Sequence, residues 1–526
     1  MRRLSAFGPA SSILEAVRGL PGVQPALALL GIRGVAVLVS LALSVWSSYR
    51  DPVINNDGIL YLSAAAAFLA GDWRGAFALY PWPFYPWLIA LTHQATGVAL
   101  EHCAHLLNAL FQAATVWAFI TVVKEFGADR RVMAAAALVI LLHPGLNEYR
   151  PFVVRDFGYW AFYLLALLWF LRFCKRPSTG SALGWGGAMV AATLFRIEGL
   201  VILVLLPLAL LFQRGVAFPT RLGRLGTAQL VTLAVLAVLL GWVLLGHSIE
   251  TGRLTEPAQW LQQFWRQLSG GFQQKATALG EAILPRYSSG YAVAGVLAVL
   301  VVILAAKLVA ALSPLYALLA LHAWRGRLVP TLAETGRVLG WLVVLQTTMV
   351  AGFLANHFFV TGRFPMALAL TIMLLAPFSL VALYDGWREN EGAWQRRKWL
   401  FPAVCVVLLW MAVDGLYSFG ASKTYLRDAG LWLEERTPAE ARLHSNSKPL
   451  TFYAGKRERN WGRGFNWDET AQLVQDGSWR GYDYLAIAID RKHPERLEVL
   501  QAALGREPVA RFVNNRRDQA VIFSTR

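Results

Sequence analysis

Tyr49-Arg-Asp-Pro-Val-Ile-Asn-Asn-Asp-Gly-Ile-Leu-Tyr61 is a polar break between two strongly apolar stretches, and its reading decides the fold. The stretch before it, from about Gly34 to Trp46, reads as a first membrane helix. Asp57 inside the break is then an acid held just outside that helix, close to the lipid surface. A second acidic loop, Tyr149-Arg-Pro-Phe-Val-Val-Arg-Asp156, is expected on the same side. Groups at that level can meet water-soluble and lipid-borne molecules alike, so the two loops imply an active site at a membrane interface.

Composition supports a membrane protein. Hydrophobic residues make up 56% of the 526 and charged residues only 15%, with a mean hydropathy of +0.45. A soluble chain carries about 25% charged residues. About 20 apolar residues cross roughly 30 Å of hydrocarbon, and backbone groups in lipid must be paired internally, so the spans are helices. Runs such as Leu200–Phe212 lack the period-two alternation of a membrane barrel. The net charge of +17 sits in short clusters between apolar runs, which is the pattern of membrane topology and not of nucleic-acid binding. Cys103, Cys174 and Cys405 form no CxxC, so neither a zinc site nor a disulfide framework is expected. Arg2 and Arg3 precede no early cleavable core, and the first apolar run is expected to be retained.

Eleven spans are expected, near 33–49, 103–123, 131–147, 157–173, 182–195, 199–213, 227–246, 289–323, 337–355, 364–385 and 399–417. The run 289–323 is long for one crossing and contains Ser313-Pro314. It reads as a kinked helix or a span plus a surface segment, and the charges require that it cross once. Basic clusters such as Lys124, Arg130 and Arg131, or Arg388, Arg396, Arg397 and Lys398, then fall on the cytoplasmic side with the N-terminus. Asp57, Asp156, Glu198 and Arg363 fall on the other side. Short aromatic segments over 58–98, opened in part by Pro81-Trp-Pro-Phe-Tyr-Pro-Trp87, read as interfacial helices. The loop 247–288, with Trp260, Phe264, Trp265 and Phe272, is the other large external piece. Residues 1–417 thus form a membrane module and 418–526 a charged tail. The strand-like runs Tyr484–Ile489 and Gln519–Phe523, with a helical His493–Leu504 between them, predict a small extracytoplasmic α/β domain there.

Several polar residues could carry chemistry. Asp57 could be a general base or the cap of a helix opening at Asn56-Asp57-Gly58. Asp156 could cap the helix after it, or orient an arginine or a metal; Arg150 and Arg155 could pair with phosphate or anchor at headgroups. Arg196-Ile-Glu198-Gly199 interrupts the apolar run 182–213, where charges must be paired or solvated. It is either a salt bridge in a helical hairpin or part of a site. Arg363, in Asn356-His357-Phe-Phe-Val-Thr-Gly-Arg363-Phe-Pro365, is suited to forked phosphate recognition or to interfacial anchoring. His357 is a further candidate or a hydrogen-bonded structural histidine. No histidine has metal-ligand spacing.

In this order the residues resemble the C-type membrane glycosyltransferases, with the protein O-mannosyltransferases and lipid A aminoarabinose transferases as the nearer groups. The pattern is an acid after the first span, Gly71-Asp72-Trp73, the proline-rich Pro81–Trp87, and a turn at Phe126-Gly-Ala-Asp-Arg-Arg131. Arg155-Asp156, Arg196–Gly199, Arg363–Pro365 and Tyr482-Asp-Tyr484 in the tail follow. The resemblance implies a hexosyl- or pentosyltransferase that takes its sugar from a polyprenyl phosphate. The acceptor would be a glycan, lipid or protein on the non-cytoplasmic face of, most simply, a bacterial inner membrane. It assigns Asp57 and Asp156 to catalysis, and leaves Arg150, Arg155, Arg196 and Arg363 to hold the donor phosphate. No cofactor is required, although a divalent metal is possible. The other readings are a metal-dependent oligosaccharide or lipid-linked glycan transferase, and a transporter or flippase. Two departures stand out. The Lys-Pro-Pro of many members is replaced by Pro81-Trp82-Pro83, and Gly58 follows the first-loop acid where some members carry Glu.

The charge pattern fixes a testable topology. A reporter fused after Arg526 is expected to read as non-cytoplasmic, and one inserted in the 386–398 loop as cytoplasmic. A cytoplasmic C-terminus would remove the basis for grouping the acids on the outer face.

Overall fold

The computed structural model describes residues 23–50, 53–213, 215–244, 272–282, 286–389, 398–417, 422–438, 440–456, 461 and 464–525. Arg2, Arg3, Arg214, Arg396, Arg397, Trp260, Phe264 and Trp265, and with them most of the loop 247–288, lie outside the described residues. The chain is a bundle of helices followed by a small sheet domain.

Six described helices are long and apolar enough to cross a membrane: Gly31–Arg50, Leu100–Glu125, Asp156–Lys175, Tyr287–Leu312, Thr335–His357 and Met366–Glu389. Phe218–Ala228 and Leu230–Val238, bent by 51°, would make a seventh if they form one span. The eleven expected spans are therefore too many, and the reasons are local. The run 131–147 ends its helix at Leu141, because His143-Pro144 starts a separate five-residue helix. Gly199–Leu205 passes into a tight 3-10 turn at Pro207. Thr179–Phe195 and Leu400–Leu416 have 17 residues each, about 25 Å at 1.5 Å per residue. The run 289–323 is two helices, broken at Ser313 with φ 62°. The second, Pro314–Arg325, is no surface segment. It packs on Ala376–Glu389, and Tyr316 is fully buried.

The bundle centre is Asp156–Lys175, flanked by Leu100–Glu125 and Thr179–Phe195, with Val23–Arg50 beyond. Gly158 permits the closest approach. A Cβ there would lie 2.3 Å from the Phe195 ring, and that ring is held by Phe84, Phe111 and Phe162 at 5.1–5.9 Å. The first loop forms three short helices, Asn56–Leu69, Trp73–Leu79 and Phe84–Thr96. They expose Trp73, Phe77, Trp87 and Leu91, as interfacial helices should.

The tail carries a four-stranded sheet, β1 (Leu443–Ser445), β2 (Tyr484–Ile489), β3 (Ala510–Val513) and β4 (Gln519–Ser524), in the order β1-β2-β4-β3. β1 runs parallel to β2 and the other pairings are antiparallel. Both faces are buried. Leu485, Ile487 and Ile489 pack with Val521 and Phe523 on one side. Ala486, Ala520 and Ile522 admit the helix Thr424–Arg436 on the other. The strands at 484–489 and 519–524 and the helix Glu495–Leu504 match the sequence reading. β1 and β3 are new, and at three and four residues they are too short to show a period.

Gly158→Ala is expected to destabilise the bundle by about 1–3 kcal/mol, the range for overpacking. This outweighs the helix propensity that alanine gains over glycine, about 1 kcal/mol. A lowered melting temperature in detergent checks it; an unchanged one would show that the Phe195 ring yields.

Candidate active site

The first two loops are tied together before any charged group is considered. Asn55 caps the helix Asn56–Leu69 by position. Its side chain is used elsewhere: the amide donates to the Val153 carbonyl at 3.2 Å, and its oxygen accepts from Val153 N at 2.8 Å. Gly58 lets the loops meet, since a Cβ there would stand 2.8–3.0 Å from Ile54, Val153 and Asn55. Asn108, itself accepting from the Tyr85 hydroxyl at 2.8 Å, donates to the Phe152 carbonyl at 3.1 Å. The second loop is thereby fixed from two sides.

On this scaffold the charges form an alternating chain. Arg363 donates to Asp57 at 2.5 Å and to Asp156 at 3.4 Å. Arg196 donates to the other oxygen of Asp156 and grips Glu198 in a fork at 2.9 and 3.4 Å. Four segments distant in sequence thus meet in one line: Asp57, Arg363, Asp156, Arg196, Glu198. Side-chain exposure is 40% at Asp57 and 21% at Arg363, falls to 5% at Asp156, and is 10% and 13% at Arg196 and Glu198. Burial works to raise the Glu198 carboxyl, but the adjacent Arg196 charge and its hydrogen bonds outweigh that and hold it down at about 2. The Arg196 guanidinium also lies over the rings of Phe364 and Tyr159, at 4.8 and 5.7 Å.

Asp57 does not cap its helix, although it stands in the first turn. One oxygen is held by Arg363, and the other accepts no hydrogen bond among the described residues. Arg155 is the contrasting group. It lies over the Tyr80 ring at 5.4 Å, and its Nη1 is buried with no hydrogen-bond partner among the described residues. Tyr61, one helical turn after Asp57, places its buried phenol within the fields of Asp57, Asp156 and Arg155. Burial, then Tyr80, pushes that phenol well above its ordinary range. Beside Arg196 and Glu198 a crevice opens whose walls include Phe364, Met349, Val350 and Leu368, with Gln346 among its lining groups.

Two candidates lie elsewhere. Arg150 is 3% exposed and turns to the first membrane helix, donating to Ser40 and Ser44 at 2.8–3.3 Å and to Asn147 at 2.7 Å. His357 ends its helix against Phe353 and Asn356, and has no contact with the acids. Tyr61, Tyr80, Tyr159 and Asn55 were missed. The spacing Asp57-x-x-x-Tyr61 was the available signal for Tyr61, because residues four apart share a helix face.

The two arginines should separate in stability. Arg150→Ala leaves two serines and an asparagine without their partner, and is expected to cost about 1–3 kcal/mol. Arg155→Ala removes a buried donor that has no partner, and should change stability by less than about 1 kcal/mol. Thermal unfolding of the two variants in one detergent checks both; equal losses would contradict the hydrogen-bond pattern.

No family model matches the chain, and no curated protein sequence does. Solved structures do. ArnT from Cupriavidus metallidurans, bound to undecaprenyl phosphate, superposes with a TM-score of 0.53 at 16% identity, over 93% of this chain and 97% of that one. The archaeal oligosaccharyltransferase AglB from Archaeoglobus fulgidus, in complex with an inhibitory peptide and a dolichol-phosphate, gives 0.55 at 13% identity, over 91% of this chain and 72% of that one. The chain therefore shares the fold of these two structures over more than nine-tenths of its length.

Proposed function

We propose that the protein transfers one sugar from a polyprenyl phosphate to an acceptor on the outer side of the membrane. The observation that carries this reading is the contrast within the charged cluster. Arg196 and Arg363 are engaged by acids, whereas Arg155 keeps a buried donor for an incoming anion. A guanidinium fork matches phosphate as it matches carboxylate. The crevice beside Arg196 sets apolar walls next to the charged cluster. The two structural neighbours each hold a lipid phosphate, undecaprenyl phosphate in ArnT and dolichol-phosphate in AglB.

In this reaction Asp57 takes the proton of an acceptor hydroxyl or amine, arriving from the exposed end of the charge chain. The nucleophile attacks the anomeric carbon on the face opposite the phosphate. The new glycosidic bond forms as the carbon–oxygen bond to phosphate breaks, with inversion. Polyprenyl phosphate leaves with the electron pair, and Arg155, supported by Arg196 and Arg363, stabilises its charge. Asp156 orients the two arginines. Arg150 is left out of the phosphate site, since its donors are used within the bundle.

The donor set does not suit a divalent cation. Asp57, Asp156 and Glu198 each meet a guanidinium, and no three His, Cys, Asp or Glu side chains converge among the described residues. No step is derived through a metal.

The test uses the full chain in nanodiscs with a panel of undecaprenyl-phosphate-linked monosaccharides, reading release of undecaprenyl phosphate. Asp57→Asn is expected to lose about 10²–10⁴-fold in rate, the usual contribution of a positioned base. Arg155→Ala should weaken binding of undecaprenyl phosphate itself by tenfold or more, and Arg155→Lys should recover only part of it. Wild-type turnover by Asp57→Asn would sink the mechanism, and undiminished binding by Arg155→Ala would sink the phosphate site.

A further inference from the structure

The tail does more than cover the membrane module. Its short helix Lys448–Tyr453 packs directly on Asn56–Leu69, the helix that carries Asp57. Tyr453, the last residue of that helix, buries its ring in the core of the membrane module with 8% exposure. Its hydroxyl accepts from Ile54 N at 3.0 Å and donates to Glu101 at 3.1 Å. Ile54 lies three residues before Asp57, and Glu101 stands in the first turn of the spanning helix Leu100–Glu125. One phenol oxygen thus joins the tail, the first loop and a rigid membrane helix.

The placement has mechanical consequences. The first loop is fixed to the second at Asn55–Val153, and Tyr453 fixes it to the helix Leu100–Glu125 one residue earlier. Two fixed points on adjacent residues determine both the start and the direction of the Asp57 helix. The Ile54 N–H is buried and comes before the hydrogen-bonded part of that helix, so the helix cannot pair it. Without the phenol it would have to move to find a partner. The Arg427 guanidinium, 5.8 Å from the Tyr453 ring centre, comes from the helix that covers the sheet. The ring is therefore held from the tail side as well.

We propose that Tyr453 is a positioning residue for Asp57, through which the tail domain sets the geometry of the acid. The proposal rests on the glycosyl-transfer reading only for its kinetic arm. The structural arm is independent of it. In nanodiscs, Tyr453→Phe keeps the ring and removes the hydroxyl. Amide hydrogen exchange over 53–62 is expected to rise by about tenfold or more, while the strands 484–489 and 519–524 exchange as in the wild type. Glu101→Gln retains an acceptor for the phenol and should stay near wild type; Glu101→Leu should behave like Tyr453→Phe. In the kinetic arm, with whichever panel donor turns over, Tyr453→Phe should lower kcat by about tenfold and leave the donor KM within twofold. A purely packing role would leave both exchange and kcat unmoved. Unchanged exchange over 53–62, or equal loosening of the tail strands, overturns the proposal. So does wild-type kcat in Tyr453→Phe alongside an inactive Asp57→Asn, and that outcome leaves glycosyl transfer standing. An active Asp57→Asn removes the transfer mechanism instead, and the exchange result still decides the positioning role of Tyr453.

Discussion

The line of alternating charge Asp57–Arg363–Asp156–Arg196–Glu198, buried from Asp156 onward, is the constraint on which the rest of the structure depends. Removing one partner from a buried ion pair typically costs about 3–5 kcal/mol, because a charge is left uncompensated. Each member here is therefore held by its neighbours, and the helices that deliver them must end where they do. Thr179–Phe195 stops at Arg196, which pairs with the carboxylate opening Asp156–Lys175. The polar break at 196–198 in an otherwise apolar run is the result. Gly158 and Gly58 serve the same end. They allow the close approaches that bring the hairpin and the two loops within bonding distance.

Which parts of this were legible in the sequence depends on the range of the signal. Asp57, Asp156, Glu198 and Arg363 could be grouped from charge topology alone, because hydrophobic runs and basic clusters fix which loops share a side. That these four, joined by Arg196, form one bonded chain could not be read. It depends on pairings separated by 40 to 306 positions. The span count failed for a related reason. Apolar runs measure hydrophobicity, while a crossing also needs unbroken helix length. His143-Pro144, Ser313-Pro314 and Pro207 interrupt runs that look continuous by composition. In the tail, β2 and β4 were visible because each has six residues of strand-like pattern. β1 owes its place to pairing with β2, not to its own sequence. Arg150 looked equivalent to Arg155, five residues away in one loop. Only Ser40 and Ser44, supplied by another helix, separate their roles.

The cluster contains three acids and three arginines, and this balance bears on what it can bind. A neutral group can remain buried without a ligand, because every charge but one is matched at hydrogen-bond distance. The exception is Arg155, which lies over the Tyr80 ring and keeps a donor unused among the described residues. Leaving a buried donor unpaired costs about 1–3 kcal/mol. Replacing Arg155 would remove that cost and, with it, the contact to the Tyr80 ring. Sites that bind a ligand retain costs of this kind, because the ligand supplies the missing partner. A phosphate at Arg155 would add negative charge beside Glu198 and Asp156, so the arginines between them would be drawn toward it. Arg363 is the member best placed to respond. It bridges two acids, and its longer contact, 3.4 Å to Asp156, is the weaker. Asp57 keeps one oxygen unbonded among the described residues even while Arg363 holds the other. In the proposed reaction that oxygen takes the acceptor proton from the solvent side while Arg363 still holds the other.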